Sequence, residues 1–504
     1  MDEELKEKYK ITLDGLDFDV EIKLVDKELR YYIISPVFAA PTKAFMNTLR
    51  ERLAPELDVT ASSTSSVEKS RKLREKLWKK ISFWIDQETP NMDDETKGNM
   101  ICTILCKSLG LGQIEFLLKD ANLEEIVINS ADEPIRVYHK KYGWLPSNIK
   151  MNSEQTIENY SKAIAREVGK EITISSPLLD AHIPSGDRIN AVMTPISDKG
   201  STMTIRMFAR DPWTFPDFIK NKTINSEILA ILWLMIQYEM NVLISGGTGS
   251  GKTSLLNILM PFIQPNQRVI SIEDTRELQL PEFLYWCPMK TRSPNPEGEG
   301  EVSMSDLLVN ALRMRPDRII LGEIRKGRDA EILFEAMHTG HSVYATLHAD
   351  NSHQTLKRLT NPPINVPSVM LEAIHMNVVM YRDRRRNVRR TYQLSEVIPE
   401  EKVDGSSSVK ANVLYRWKAR TDEIVKSSED IRLSQEIAMH TGFSKQEILE
   451  EIEKKKKTLE WIANKGIRKL PDIGRLMRMY YLDTEDVYSL VEKNGDPKKI
   501  LNLE

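Results

Sequence analysis

From residue 223 onward, short apolar blocks and amphipathic stretches alternate along the chain. The stretch 226–239 has helical spacing and leads into the apolar block 242–245, which reads as a buried strand. A glycine-rich turn opens a helix over 252–259, and a strand over 268–272 follows. Helix 304–314 then leads to strand 318–321, and helix 328–337 leads to strand 342–346. Strands alternating with helices in this way predict an α/β domain built on a mostly parallel sheet. A Pro-, Gly- and Glu-rich segment over 290–302 reads as a mobile loop.

Upstream the pattern changes. Residues 16–24 alternate apolar and charged positions, as a half-buried strand does, and 1–58 otherwise mixes short alternating stretches with loops. A Ser/Thr-rich connector over 60–66 precedes a charged helix over 68–80 with Leu73, Leu77 and Trp78 on one side. Its basic face reads as solvated, with acidic lipid or a partner as the alternative. From about 100 to 210 the pattern is α+β, with strands over 125–128, 135–138 and 203–206. Pro212 and Pro216 mark a linker. The expected organisation is an N-terminal segment of unassigned role over 1–100, an α+β domain over 101–210, a linker over 211–222, an α/β domain over 223–400, and a hairpin or linker with a helical C-terminal region over 401–504. Ser444 and Glu447 form a capping-box pair in that last region.

Composition narrows the class. The chain has 504 residues, 71 Lys+Arg against 74 Asp+Glu, and a formal net charge of −3. Global charge therefore gives no argument for nucleic-acid binding. The three cysteines, Cys102, Cys106 and Cys287, are too few for a disulfide framework or a four-cysteine zinc module. Cys102 and Cys106 read as core thiols in a reducing compartment. The acidic N-terminus, Met1-Asp2-Glu3-Glu4, has no apolar core of a secretory signal. The apolar run 228–236 falls short of the roughly 20 residues that span a bilayer. Any work at a membrane is expected to need another protein as anchor.

Candidate chemistry begins at Gly246, Gly247, Thr248, Gly249, Ser250, Gly251, Lys252 and Thr253, which fit G-x-x-x-x-G-K-[ST] between a predicted strand and helix. The glycines let backbone N–H groups turn toward phosphate oxygens, and the helix N-terminus adds positive potential. Lys252 supplies charge for the β/γ-phosphates and Thr253 a ligand for Mg²⁺, so ATP and Mg²⁺ are the expected cofactors. The strand 318–321 ends in Gly322 and Glu323. It is expected beside the P-loop strand, with Glu323 presented to the metal and the attacking water. Glu273 and Asp274 end another strand, with Glu277 close behind, also on the ligand side; turn capping by Asp274 is the alternative. His341 and His348 flank strand 342–346. Their spacing matches no zinc pattern, and they are read as phosphate-sensing.

These motifs resemble the RecA-like P-loop ATPases of type II and type IV secretion systems. Ile270 to Asp274 is similar to that family's Asp box, Thr339 to Ala349 to its His box, and Gly322-Glu323 to its Walker B pair. The resemblance runs from about 110 to 400, and Thr458 to Ile467 resembles the archaeal branch, which includes pilus-assembly ATPases and the archaellum motor. It implies a homo-hexamer in which each subunit pairs an α+β N-terminal domain with a RecA-like domain, here the α/β domain over 223–400, and binds ATP between them. It implies arginines that reach the phosphates, carried onto Arg206 and Arg210, with Arg188, Arg313 and Arg315 as further candidates. It implies a cytoplasmic motor, peripheral at the membrane, working on a polytopic platform protein and indirectly on pilin-like subunits.

The zinc-bearing members carry four cysteines after the His box. This chain does not, so zinc is not expected. Six arginines between Arg382 and Arg390 are read as a hairpin between strands over 377–381 and 391–397, with nucleic-acid or acidic-lipid binding as the alternative; nucleic acid is not an expected partner. The functional expectation is an ATP-hydrolysing motor for assembly of a type IV pilus-like filament or related secretion. The alternatives are an archaellum motor, a DNA-transfer ATPase, a nucleotide-binding regulatory subunit that does not hydrolyse, and a small-molecule kinase.

Overall fold

The computed structural model describes residues 3–60, 67–183, 185–208, 211–295, 298–401 and 407–501. The connector expected over 60–66 therefore lies almost wholly outside the described residues. The chain divides into two compact units, Met1–Arg210 and Asp211–Glu504.

The first unit is built on strands β1 (Glu3–Leu13), β2 (Leu16–Val25), β3 (Glu28–Ile33), β4 (Leu123–Ile128), β5 (Pro134–His139), β6 (Gly143–Lys150), β7 (Leu178–His182), β8 (Arg188–Val192) and β9 (Thr202–Arg206). They lie in one sheet in the order β1-β2-β3-β6-β5-β4-β9-β8-β7. The alternation read over 16–24 is β2, which buries Phe18, Val20 and Ile22.

Residues 3–33 are thus not a separate segment, as a boundary at residue 100 had implied. They extend the sheet of the α+β part, and Tyr9 and Tyr31 both donate hydroxyl hydrogen bonds to the buried carboxylate of Asp120, at 2.6 and 2.9 Å. Helices Ala40–Thr60, Val67–Glu88 and Asp94–Leu109 form a second core around Leu49, Leu77, Ile81 and Ile101. Cys102 and Cys106 are buried. Hydrogen bonding to Cys106, together with burial, holds the Cys102 thiol protonated.

The second unit carries β10 (Val242–Gly246), β11 (Arg268–Glu273), β12 (Tyr285–Lys290), β13 (Arg318–Leu321), β14 (Ser342–Leu347), β15 (Met376–Asp383), β16 (Val388–Glu401), β17 (Ser407–Lys418) and β18 (Glu423–Lys426). The order is β12-β11-β13-β14-β10-β15-β16-β17-β18. Pairs from β12 to β15 are parallel, and those from β15 to β18 are antiparallel. This is the expected α/β class with a mostly parallel core. β12 lies within the segment that sequence left without an element, because it is short and Pro288 and Lys290 interrupt its apolar pattern. The loop after it is closed at its base by a bridge between Arg292 and Val302.

Two boundaries differ from expectation. The segment 211–222 contains a helix, Phe215–Lys220, capped by Thr214 and Asp217, and it buries Phe215 and Phe218. It belongs to the core of this unit rather than to a free linker. The C-terminal helices belong to the same core. Helix Ser226–Gln237 is buried at every position from Ile228 to Ile236, because helices Lys445–Asn464 and Lys252–Leu259 pack against it and its side chains share one core with Val242, Ile244 and Val378 of the sheet. Trp233 stacks on Phe262 at 5.2 Å and donates to the Tyr481 hydroxyl at 2.8 Å. The fully buried Lys455 ammonium lies 4.9 Å from the Trp233 ring and is paired with Glu451. This explains the nine-residue apolar run as interior helix. Among the described residues no helix is long and apolar enough to cross a membrane.

Candidate functional site

The parallel strands bring their C-terminal ends to one edge of the sheet, where open α/β folds bind ligands. β10 is wholly buried and runs into the glycine loop, and helix Lys252–Leu259 leaves from it. Gly246, Gly249 and Gly251 adopt φ of 152°, 69° and 96°. A Cβ on Gly246 would lie 2.4 Å from the Met380 carbonyl oxygen, so the loop needs glycine there for space as well as for conformation. The Lys252 ammonium is buried beneath the loop and donates to the carbonyls of Gly246 and Gly247 at 3.0 and 3.1 Å. Thr253 is the next residue of the helix. This cradle fits a nucleotide polyphosphate with Mg²⁺: it offers a curled glycine loop, a helix N-terminus, one ammonium and one hydroxyl in the motif order.

The Walker B strand is not beside the P-loop strand, as sequence reasoning had placed it. β14 lies between β13 and β10. Thr346 in β14 donates to the Gly322 carbonyl at 2.6 Å and fixes the end of β13. Just past β14, His348 spans the gap: its Nε2 lies 2.8 Å from Glu323 Oε1, and the Lys252 ammonium lies 3.5 Å from both ring nitrogens. Burial first, and Lys252 second, push the His348 pKa below its ordinary value. The ring is therefore neutral near pH 7. It donates from Nε2 to the carboxylate and offers Nδ1 to the ammonium.

The chain of charges continues past Glu323. Arg325 Nε donates to Glu323 Oε2 at 2.6 Å, and Arg325 Nη1 donates to Asp274 Oδ2 at 2.7 Å. Thr291 donates to the other oxygen of Asp274 at 3.0 Å. Lys252, His348, Glu323, Arg325 and Asp274 thus form one line along the sheet edge.

Glu273 does something different from Asp274. Its Oε1 accepts from the backbone N–H groups of Glu277 and Leu278 at 2.9 and 3.1 Å, so Glu273, not Asp274, caps the turn. Burial raises its pKa to about 7. Glu277 enters this turn through its backbone, and its carbonyl accepts from Asn257 of the P-loop helix at 3.0 Å.

His341 is not at this edge. β14 runs parallel to β10 and β13, so His341, before Ser342, stands at the opposite end of the strand from His348. There its Nδ1 lies 3.2 Å from Thr339 Oγ1 and 3.3 Å from the Ala336 carbonyl oxygen. The paired-histidine reading fails because the two residues are separated by a strand's length, roughly 20 Å for six residues.

In the first unit, Arg206 ends β9 opposite Arg188 of β8. Arg188 is held in a two-point pair with Asp180 at 2.7 and 2.9 Å. Arg210 lies outside the described residues. Cys287 lies in β12 of the same sheet.

Sequence reasoning missed three residues that meet the motifs. Arg325 follows Glu323 by two positions, a signal that was available. Arg382 and Arg389 come from the arginine-rich hairpin of β15 and β16, and only the sheet order shows that they reach the P-loop.

A family model described as type II/IV secretion system protein matches residues 107–472. The chain belongs to this family. Its relatives include an uncharacterized protein of Methanocaldococcus jannaschii, 36% identical over 394 residues, which cover 76% of this chain and 68% of that one. The type IV secretion system protein PtlH of Bordetella pertussis is 30% identical over 265 residues, covering 48% of this chain and 77% of PtlH. Among solved structures, the ATPase DotB of Legionella pneumophila aligns with a TM-score of 0.40 and 19% identity, over 76% of this chain and 94% of DotB.

Proposed function

We propose that the protein is an ATP-hydrolysing motor that drives assembly of a type IV pilus-like filament or related secretion from the cytoplasmic face of a membrane. The observation that carries the reading is the line from Lys252 through His348 to Glu323. It joins the phosphate cradle to a carboxylate held two strands away, at the end of β13. A loop that only stored nucleotide would have no need of that carboxylate.

The roles follow from chemistry. The loop Gly246–Gly251 and Lys252 hold the β- and γ-phosphates, and Thr253 is the residue that would hold Mg²⁺. The metal would supply charge neutralisation at the polyphosphate. Glu323 orients and polarises the attacking water. His348 keeps Glu323 in place and reports the state of Lys252. Glu273 shapes the turn before Glu277 while it holds a proton near neutrality. Charge neutralisation on the γ-phosphate is assigned to Arg206 and Arg210. The working assembly is a homo-hexamer on a polytopic membrane platform protein, with pilin-like subunits as the indirect cargo.

Release of phosphate from ATP by the purified full chain, with its loss in Lys252→Ala, tests the enzymatic part. Recovery of the protein from membranes together with a polytopic protein tests the motor part. ATP binding without phosphate release would instead identify a regulatory subunit.

A further inference from the structure

The hairpin of β15 and β16 was a basic run without a task. β15 pairs with β10 on the side away from β14, and it carries the hairpin to the P-loop. Arg382 and Arg389 are register partners across the hairpin. Arg389 Nε donates to the Gly249 carbonyl oxygen at 3.0 Å. Arg382 Nη1 lies 2.8 Å from the point where a Cβ on Gly249 would stand, and Arg389 Cδ 3.5 Å from the corresponding point on Gly251. The next arginine, Arg390, is turned away and held by both oxygens of Asp422 at 2.7 and 2.8 Å. Arg384, Arg385 and Arg386 are at the exposed tip.

The register brings both guanidiniums to the same level of the hairpin. Here both converge on the middle glycine of a loop whose peptide groups bind phosphate. The carbonyl of Gly249 is fixed from outside by a side chain distant in sequence, and two cationic groups stand at the loop's flank. Guanidiniums are suited to this task because their planar fork can hold a backbone oxygen and a phosphate oxygen at once.

We propose that Arg382 and Arg389 are positioning residues for the nucleotide polyphosphate: the hairpin braces the P-loop through Gly249 and adds positive charge at the phosphates from within the same domain. The hairpin is then a nucleotide-binding element and not a surface for nucleic acid. The proposal rests on the P-loop reading above.

The test compares binding of Mg-ATP and of inorganic tripolyphosphate to the full chain by calorimetry. Arg389→Ala and Arg382→Ala are expected to weaken both ligands roughly tenfold, as loss of a charge-assisted contact does. Arg389→Lys is expected to recover part of the loss, and Arg385→Ala at the exposed tip to bind like the wild type. The ligand-free melting temperature of each variant should stay near wild type, which separates a phosphate contact from a folding defect. Wild-type binding of both ligands by Arg382→Ala and Arg389→Ala, with binding lost in Lys252→Ala, would overturn the hairpin proposal and leave the P-loop reading intact. Undiminished ATP binding by Lys252→Ala would overturn the P-loop reading itself. Equal weakening by Arg385→Ala would show a diffuse charge effect and also overturn the assignment.

Discussion

His348 Nε2 and Glu323 Oε1 are 2.8 Å apart, just past the ends of the adjacent parallel strands β14 and β13. With Lys252 3.5 Å from the same ring, one imidazole links the phosphate cradle to the carboxylate. Its pKa is lowered, so the neutral form persists until the pH falls below the ordinary histidine range. Protonation below that point sets an imidazolium beside an ammonium and removes the acceptor at Nδ1. Turnover is therefore predicted to fall on the acid side. His348→Gln, which keeps a donor and cannot titrate, should flatten that limb while lowering kcat by about tenfold or more. A pH–rate profile of the two proteins checks this.

Arg325 bridges Glu323 and Asp274 and is largely exposed. Its effect should be on orientation rather than on stability. Arg325→Ala is predicted to lower kcat by about tenfold and to leave KM for ATP and the melting temperature near wild type. Arg325→Lys should recover little, because an ammonium cannot hold both carboxylates with one planar fork. Steady-state kinetics of both variants gives the answer.

The contrast between these two residues shows what sequence could reveal. The P-loop, Gly322-Glu323 and His348 were readable because each is a local motif at the end of an apolar strand. Strand order was not readable, since adjacency in a parallel sheet depends on crossovers that leave no local pattern. Glu323 was placed one strand too near the P-loop for that reason, and His341 was grouped with His348 because both flank one strand. The hairpin arginines looked like surface for the same reason: their partner, Gly249, is 140 residues away. The N-terminal strands β1 and β3 were not recognised because charged residues occupy most positions of β1, an edge strand that faces solvent.

Glu273 is predicted to make stability pH-dependent. Its pKa rises from the usual carboxylate value of 4.5 to about 7 on folding, chiefly by burial. The folded chain keeps a proton that the unfolded chain has released, so the stabilisation is full below pH 4.5 and is lost as the pH rises through 7. The change is about 3 kcal/mol. Glu273→Gln keeps an oxygen for the N–H groups of Glu277 and Leu278 and should lose much less stability between pH 5 and pH 8.5. Urea unfolding at the two pH values measures the difference.

Trp233 joins the P-loop unit's buried helix to the C-terminal helices through Phe262, Tyr481 and Lys455. Trp233→Ala is predicted to cost about 4 kcal/mol. The sheet and the C-terminal helices should unfold in one transition, which tryptophan fluorescence at the remaining sites and circular dichroism would follow together.

The central claim is that Glu323 activates water on ATP held by the glycine loop, and Glu323→Gln tests it most directly. Calorimetry and a phosphate-release assay on the same preparation should show ATP bound as tightly as by the wild type, with turnover reduced at least about a hundredfold. Near-normal phosphate release by Glu323→Gln would contradict the account.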